Sequence, residues 1–150
     1  MATNESVMHA SGGCLCGAVR YQVTGPLRDV VACHCSQCRR TSGHFVAATA
    51  ARSIDVVLLD DKGLQWYTSS NNTRRGFCNQ CGSSLFWAPA EGGHISIMAG
   101  SLDGATGLVT AAHICVESAG DYYRIDDGVP QIEGDDHGVA IPEALTRDQS

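Results

Sequence analysis

The sequence predicts a mainly β protein with one domain, held together by metal–thiolate centres. Short apolar runs of strand length follow one another along a chain of 150 residues, broken by glycine and polar turns. The 17 glycines and the sparse charge, 17% of residues, favour a turn-rich sheet protein over a helical one. Seven of the eight cysteines fall into three close-spaced clusters, Cys14/Cys16, Cys33/Cys35/Cys38 and Cys78/Cys81. A chain of this length has room for one domain with its own core.

In chain order, residues 1–11 read as a loose leader, 12–134 as the domain and 135–150 as a tail that loses periodicity and carries Pro142. Residues 18–23 alternate in part and stop at Thr24-Gly25-Pro26. Val30-Val31-Ala32 is a buried-type run that leads straight into the second cysteine cluster. Residues 45–51 are small and apolar. Residues 54–59 and 64–68 flank Asp60-Asp61-Lys62-Gly63, a hairpin-like connection. Residues 74–78 enter the third cluster, Leu85-Phe86-Trp87 leave it, and 94–98 and 109–116 complete the strands.

The formal charge of −6 and a pI near 5.3 argue against a nucleic-acid surface, which needs a basic stripe. Thiolate-bound metal leaves that surface more anionic still. Residues 1–13 are polar, without the apolar core of a signal peptide. No apolar run approaches the roughly 18 residues of a membrane span. A cytoplasmic protein is therefore expected, where clustered cysteines serve metal or catalysis more often than disulfides.

Cys-x-Cys on a strand places both sulfurs on one face, and Cys-x-x-Cys brings two together around a tight bend. The simplest closed tetrahedral site combines Cys14 and Cys16 with Cys78 and Cys81. Cys33, Cys35 and Cys38 then form a local set one ligand short of zinc's usual four, the arrangement of catalytic zinc. Two zinc ions per chain are expected. The site is open to substrate, or it is closed by His34, His44, His113 or Cys115 and is structural too. Thioredoxin-like chemistry at Cys78/Cys81 lacks the βαβ setting it needs.

The motifs Gly13-Cys14-x-Cys16-Gly17-x-Val19-x-Tyr21 and Cys33-His34-Cys35-x-x-Cys38-Arg39-Arg40-x-x-Gly43 resemble those of the glutathione-dependent formaldehyde-activating (GFA) enzyme family. So do Tyr67-x-Ser69-Ser70, Arg75-x-Phe77-Cys78-x-x-Cys81-Gly82-Ser83, Gly100-Ser101-Leu102-Asp103, His113-Ile114 and Asp126-Asp127-Gly128-Val129-Pro130. The resemblance covers residues 12–132. It implies two packed antiparallel sheets of the β-tent type, a structural zinc on Cys14, Cys16, Cys78 and Cys81, and a catalytic zinc on Cys33, Cys35 and Cys38. It also implies carbon–sulfur lyase chemistry, the joining of glutathione and formaldehyde as S-hydroxymethylglutathione. The partners would then be a small thiol and an aldehyde. Centromere-protein-V-like relatives show the alternative, a two-zinc module that serves assembly rather than catalysis.

Arg39 could offset the thiolates or hold a substrate carboxylate, and His44 could act as an acid or base. Arg40 shares the first possibility with Arg39. His34 on a strand would point away from the metal, as a packed or surface histidine or as a hydrogen-bond partner of the site. His113 suits a satisfied core histidine, and Cys115 a small buried apolar residue. Trp66, Phe86 and Trp87 read as core. Many relatives carry a tryptophan where this chain has Ala119-Gly120-Asp121-Tyr122-Tyr123-Arg124, which bears on the choice of substrate.

Overall fold

The computed structural model describes residues 10–135. Most of the expected leader and tail lies outside them. Two sheets form the molecule. The smaller contains β1 (Ala10–Gly13), β2 (Arg20–Val23) and β5 (Val56–Asp60), in the order β1-β2-β5. The larger contains β3 (Val30–Cys33), β4 (Val46–Arg52), β6 (Leu64–Ser70), β7 (Thr73–Cys78), β8 (Ser84–Pro89), β9 (His94–Met98) and β10 (Thr110–Ile114). Its order is β10-β3-β4-β9-β8-β7-β6. One short helix, α1 (Ser36–Ser42), follows β3.

The sheets pack through their apolar faces. Val19, Tyr21 and Val23 from the smaller sheet and its approach meet Ala51, Leu85, Phe86 and Ile97 of the larger one in a single buried cluster. The alternation in β2 puts Tyr21 and Val23 inward and Arg20 and Gln22 outward, as a strand period of two requires. Tyr21 meets Phe86 edge to face at 5.3 Å, and its hydroxyl is bonded to Ser101 Oγ at 2.6 Å. Trp66 stacks on Phe86 from the other side, 6.0 Å between centroids, with the Arg74 guanidinium 3.9 Å over the indole.

Three expectations are corrected, and one element appears that was not expected. β1 opens at Ala10, because Ala10 and Ser11 pair with Val23 and Gln22; the strand therefore takes in the last two residues of the expected leader. The strands either side of Asp60-Asp61-Lys62-Gly63 are not a hairpin. β5 pairs with β2 and β6 with β7, so the connection crosses between sheets. The larger sheet is not purely antiparallel, since β10 runs parallel to β3. Ser36–Ser42 is helical, with Cys35 as its N-cap and Gly43, at φ 84°, as its left-handed C-cap. Three thiols of one cluster must converge there, and a turn of helix does that where a strand would separate them.

Candidate metal centres

The first centre is built from two turns. Cys14 and Cys16 lie in the connection between β1 and β2, not on a strand as their spacing suggested. Gly17 there takes φ 88°, and the Val19 amide donates to Cys14 Sγ at 3.2 Å. Cys78 ends β7, and the tight turn to β8 brings Cys81 round, with Gly82 at φ 84° and its N–H bonded to the Cys78 carbonyl at 2.8 Å. The four sulfurs lie within 4.8 Å of one another. Cys14 to Cys16 is 3.7 Å and Cys16 to Cys78 is 3.8 Å. A tetrahedron with metal–sulfur bonds of about 2.3 Å has edges of about 3.8 Å. The donor set fits a closed tetrathiolate site. Ser83 braces it, accepting from the Leu15 amide at 3.0 Å and lying 3.2 Å from Cys81 Sγ. Hydrogen bonds from Ser83, through its side chain and its backbone, hold the Cys81 thiol down at about 5.

The second centre is local in sequence. Cys33 ends β3, Cys35 caps α1 and Cys38 sits in its first turn, and the three sulfurs lie within 4.8 Å of one another. The Cys38 amide donates to Cys35 Sγ at 3.3 Å. Hydrogen bonds from Cys33 and then Cys38 pull the Cys35 thiol down to about 2. The bond with Cys35 pushes Cys33 up to about 12, and bonds with Cys33 and then Cys35 push Cys38 well above its ordinary value. A divalent cation bound there would displace the protons these thiols hold. Among the described residues this metal-type group has three members, one short of a tetrahedron.

The residues around this centre come from distant segments. His34 is fully buried; its Nδ1 is 2.6 Å from the Tyr123 hydroxyl and its Nε2 is 2.9 Å from His113 Nδ1. His113 Nε2 in turn meets Asp127 Oδ2 at 2.9 Å. Burial lowers the His34 pKa, and the neighbouring His113 lowers it further. A neutral ring has one donor and one acceptor nitrogen, matching its two partners. The His113 bond holds the Asp127 carboxyl below its ordinary value. Tyr123 and Tyr122 both border the site: Tyr123 Oη meets His34, and Tyr122 Oη donates to the Gly43 carbonyl at 3.2 Å.

Arg39 is half-buried on α1, Arg40 is exposed, and His44 is exposed past the C-cap, its ring 4.4 Å from those of Phe45 and Tyr123. The guanidinium that meets a cluster sulfur is that of Arg75, on β7, with Nη2 3.8 Å from Cys38 Sγ and 3.3 Å from Gln37 Oε1. Arg75 was visible in the Arg-x-Phe-Cys motif, but nothing local in that motif ties it to Cys38. Cys115 is half-exposed rather than a buried apolar residue. It lies just past β10, which pairs Ile114 with Cys33, and its φ of 56° is the one positive value outside glycine among the described residues. Burial pushes its thiol up, partly offset by a hydrogen bond with Cys33.

A cavity of about 300 Å³ opens beside the second centre, lined by Arg75, Tyr67, Phe77, Thr41 and Met98 among others. Met98 and Val46, which also line it, pack against Cys38. Among the described residues no helix is long and apolar enough to cross a membrane.

The profile of the family described as "Glutathione-dependent formaldehyde-activating enzyme" matches residues 9–118. The fission yeast Schizosaccharomyces pombe has a similar protein, named uncharacterized lyase C29B12.13, 28% identical over 114 residues, which are 75% of this chain and 82% of that protein. A crystal structure of a Rhodobacter sphaeroides protein is similar in fold, with a TM-score of 0.55 and 26% identity, covering 67% of this chain and 97% of that one. With both cysteine groups assembled as ligand sets and the profile spanning most of the chain, the protein belongs to the glutathione-dependent formaldehyde-activating enzyme family.

Proposed function

We propose that the protein is a zinc-dependent carbon–sulfur lyase that joins a small thiol to an aldehyde and splits the adduct, with glutathione and formaldehyde as the reference pair. The observation that carries this reading is the three-sulfur centre of Cys33, Cys35 and Cys38 beside a cavity large enough for a small substrate. The fission-yeast relative's name, a lyase, agrees with it.

In the forward direction the thiol sulfur attacks the carbonyl carbon. One S–C bond forms, the C=O π pair becomes a lone pair on oxygen, and the thiol proton ends on that oxygen. Zinc bound at the second centre supplies a Lewis acid for the reacting sulfur or oxygen, tempered by its three thiolate donors. Cys33, Cys35 and Cys38 hold that ion from one short segment. Arg75 offsets their charge from the cavity side. Tyr123, His113 and Asp127 lock the ring of His34, and with it the chain between Cys33 and Cys35. His44, exposed at the rim against Tyr123, is placed to exchange the proton with solvent, and Arg39 on α1 is a second cation for an anionic substrate. Cys14, Cys16, Cys78 and Cys81 hold the structural zinc.

The test combines metal content with catalysis. Zinc per chain is measured on reduced protein, and glutathione–formaldehyde exchange is followed by NMR. Two zincs and exchange above the uncatalysed rate are expected for the wild type, and one zinc with the uncatalysed rate for Cys35→Ser. Exchange that persists in Cys35→Ser after loss of the second metal would sink the mechanism. Two zincs with no acceleration for any small thiol would favour the assembly module.

A further inference from the structure

Strand alternation in β7 sends Arg75 and Phe77 to one face and Arg74 to the other, where Arg74 lies over Trp66. Arg75 faces the cavity, with its cross-strand neighbour Tyr67 beside it. One side of its guanidinium is occupied by Gln37 Oε1 and Cys38 Sγ. Its Nε is buried from solvent and has no hydrogen-bond partner among the described residues. A buried N–H without a partner costs stability, which marks the Arg75 guanidinium as incompletely satisfied beside the cavity. The rest of the lining, with Phe77, Phe86 and Met98, is mainly apolar, so the cavity offers one cationic anchor in apolar walls.

We propose that Arg75 is a specificity-determining residue of the second centre, binding the carboxylate of a thiol substrate so that its sulfur is presented to the metal. The inference rests on the thiol–aldehyde reading and adds the class of thiol: one that carries a carboxylate within reach of its sulfur. A guanidinium donates two parallel N–H bonds to a planar carboxylate, which an ammonium cannot do. Arg75 meets the metal ligand Cys38 through Nη2 and also lines the cavity, so one side chain stands at both ends of the substrate's path.

The experiment is calorimetric titration of the zinc-loaded full chain with 3-mercaptopropionate and with 2-mercaptoethanol, which share a thiol and differ in the carboxylate. The wild type should prefer 3-mercaptopropionate by about tenfold or more, the effect of a hydrogen bond to a charged group. Arg75→Gln should erase the preference, and Arg75→Lys, which keeps the charge without the fork, should restore part of it. Equal binding of the two thiols by the wild type overturns the inference and leaves the thiol–aldehyde reading standing. That first comparison needs no variant, so a misfolded Arg75→Gln does not decide the matter. A preference that survives in a folded Arg75→Gln, with only weaker zinc binding, also overturns it and reduces Arg75 to a counter-charge for Cys38. If neither thiol binds, the thiol–aldehyde reading itself falls, and this inference with it.

Discussion

His34 is fully buried, and both of its ring nitrogens are satisfied, one by a tyrosine and one by a second histidine. Such a chain of groups is costly to break, because the survivor is left buried without a partner. His113→Ala removes the group that meets both His34 and Asp127. A loss of about 1–3 kcal/mol is expected in a denaturant titration. His113→Asn, whose amide can stand where Nδ1 stood, should recover part of it. Equal stability of His113→Ala and wild type would mean that these contacts are not made in solution. Residue by residue, the sequence placed His113 correctly as a satisfied buried histidine, and left His34 open between the surface, packing and hydrogen bonding; it is buried and hydrogen-bonded at both nitrogens. It misjudged Cys115, because an apolar run before a cysteine gives no sign that the backbone will turn left-handed there.

At the level of elements, the connection from β5 to β6 is the instructive one. Read locally, an acidic turn ending in glycine between two apolar runs is a hairpin. In the molecule it carries the chain from one sheet to the other, and Gly63 passes over the first metal centre. A Cβ at Gly63 would stand 2.8 Å from both Cys78 Sγ and Ala18 Cβ. Neither neighbour is the free end of a flexible side chain. Gly63→Ala is therefore expected to cost about 1–3 kcal/mol, the usual range for overpacking, and to weaken metal binding at Cys14, Cys16, Cys78 and Cys81. Metal analysis with a thermal melt tests this, and unchanged values for both would show that the close approach is not real. Helix α1 was missed for a related reason: a seven-residue helix has no period long enough to read.

At the level of the whole molecule, the two centres differ in how much of the chain they span. Cys16 and Cys78 are 62 residues apart, so the first centre ties the β1–β2 turn to the β7–β8 turn and closes a long loop. The second centre spans only Cys33 to Cys38 and closes almost nothing. Chelator titration should therefore remove one metal while the fold persists, with the second released only as the protein unfolds. Far-ultraviolet circular dichroism recorded against released zinc would show two separate steps. One cooperative step, or unfolding at the first equivalent, would contradict the division. By itself the sequence determined the mainly β class, most strands and the three local cysteine clusters, because these depend on spacing within a turn or along a strand; that Cys14 and Cys16 meet Cys78 and Cys81 depends on the fold. Only the tertiary structure decided what surrounds the second centre. Arg75 meets Cys38 across 37 residues, and His34 meets His113 across 79. Those pairs are made by the order in which β10, β3, β4, β9, β8 and β7 lie side by side. Strand order arises from which faces must be buried together, and no local pattern of residues records it.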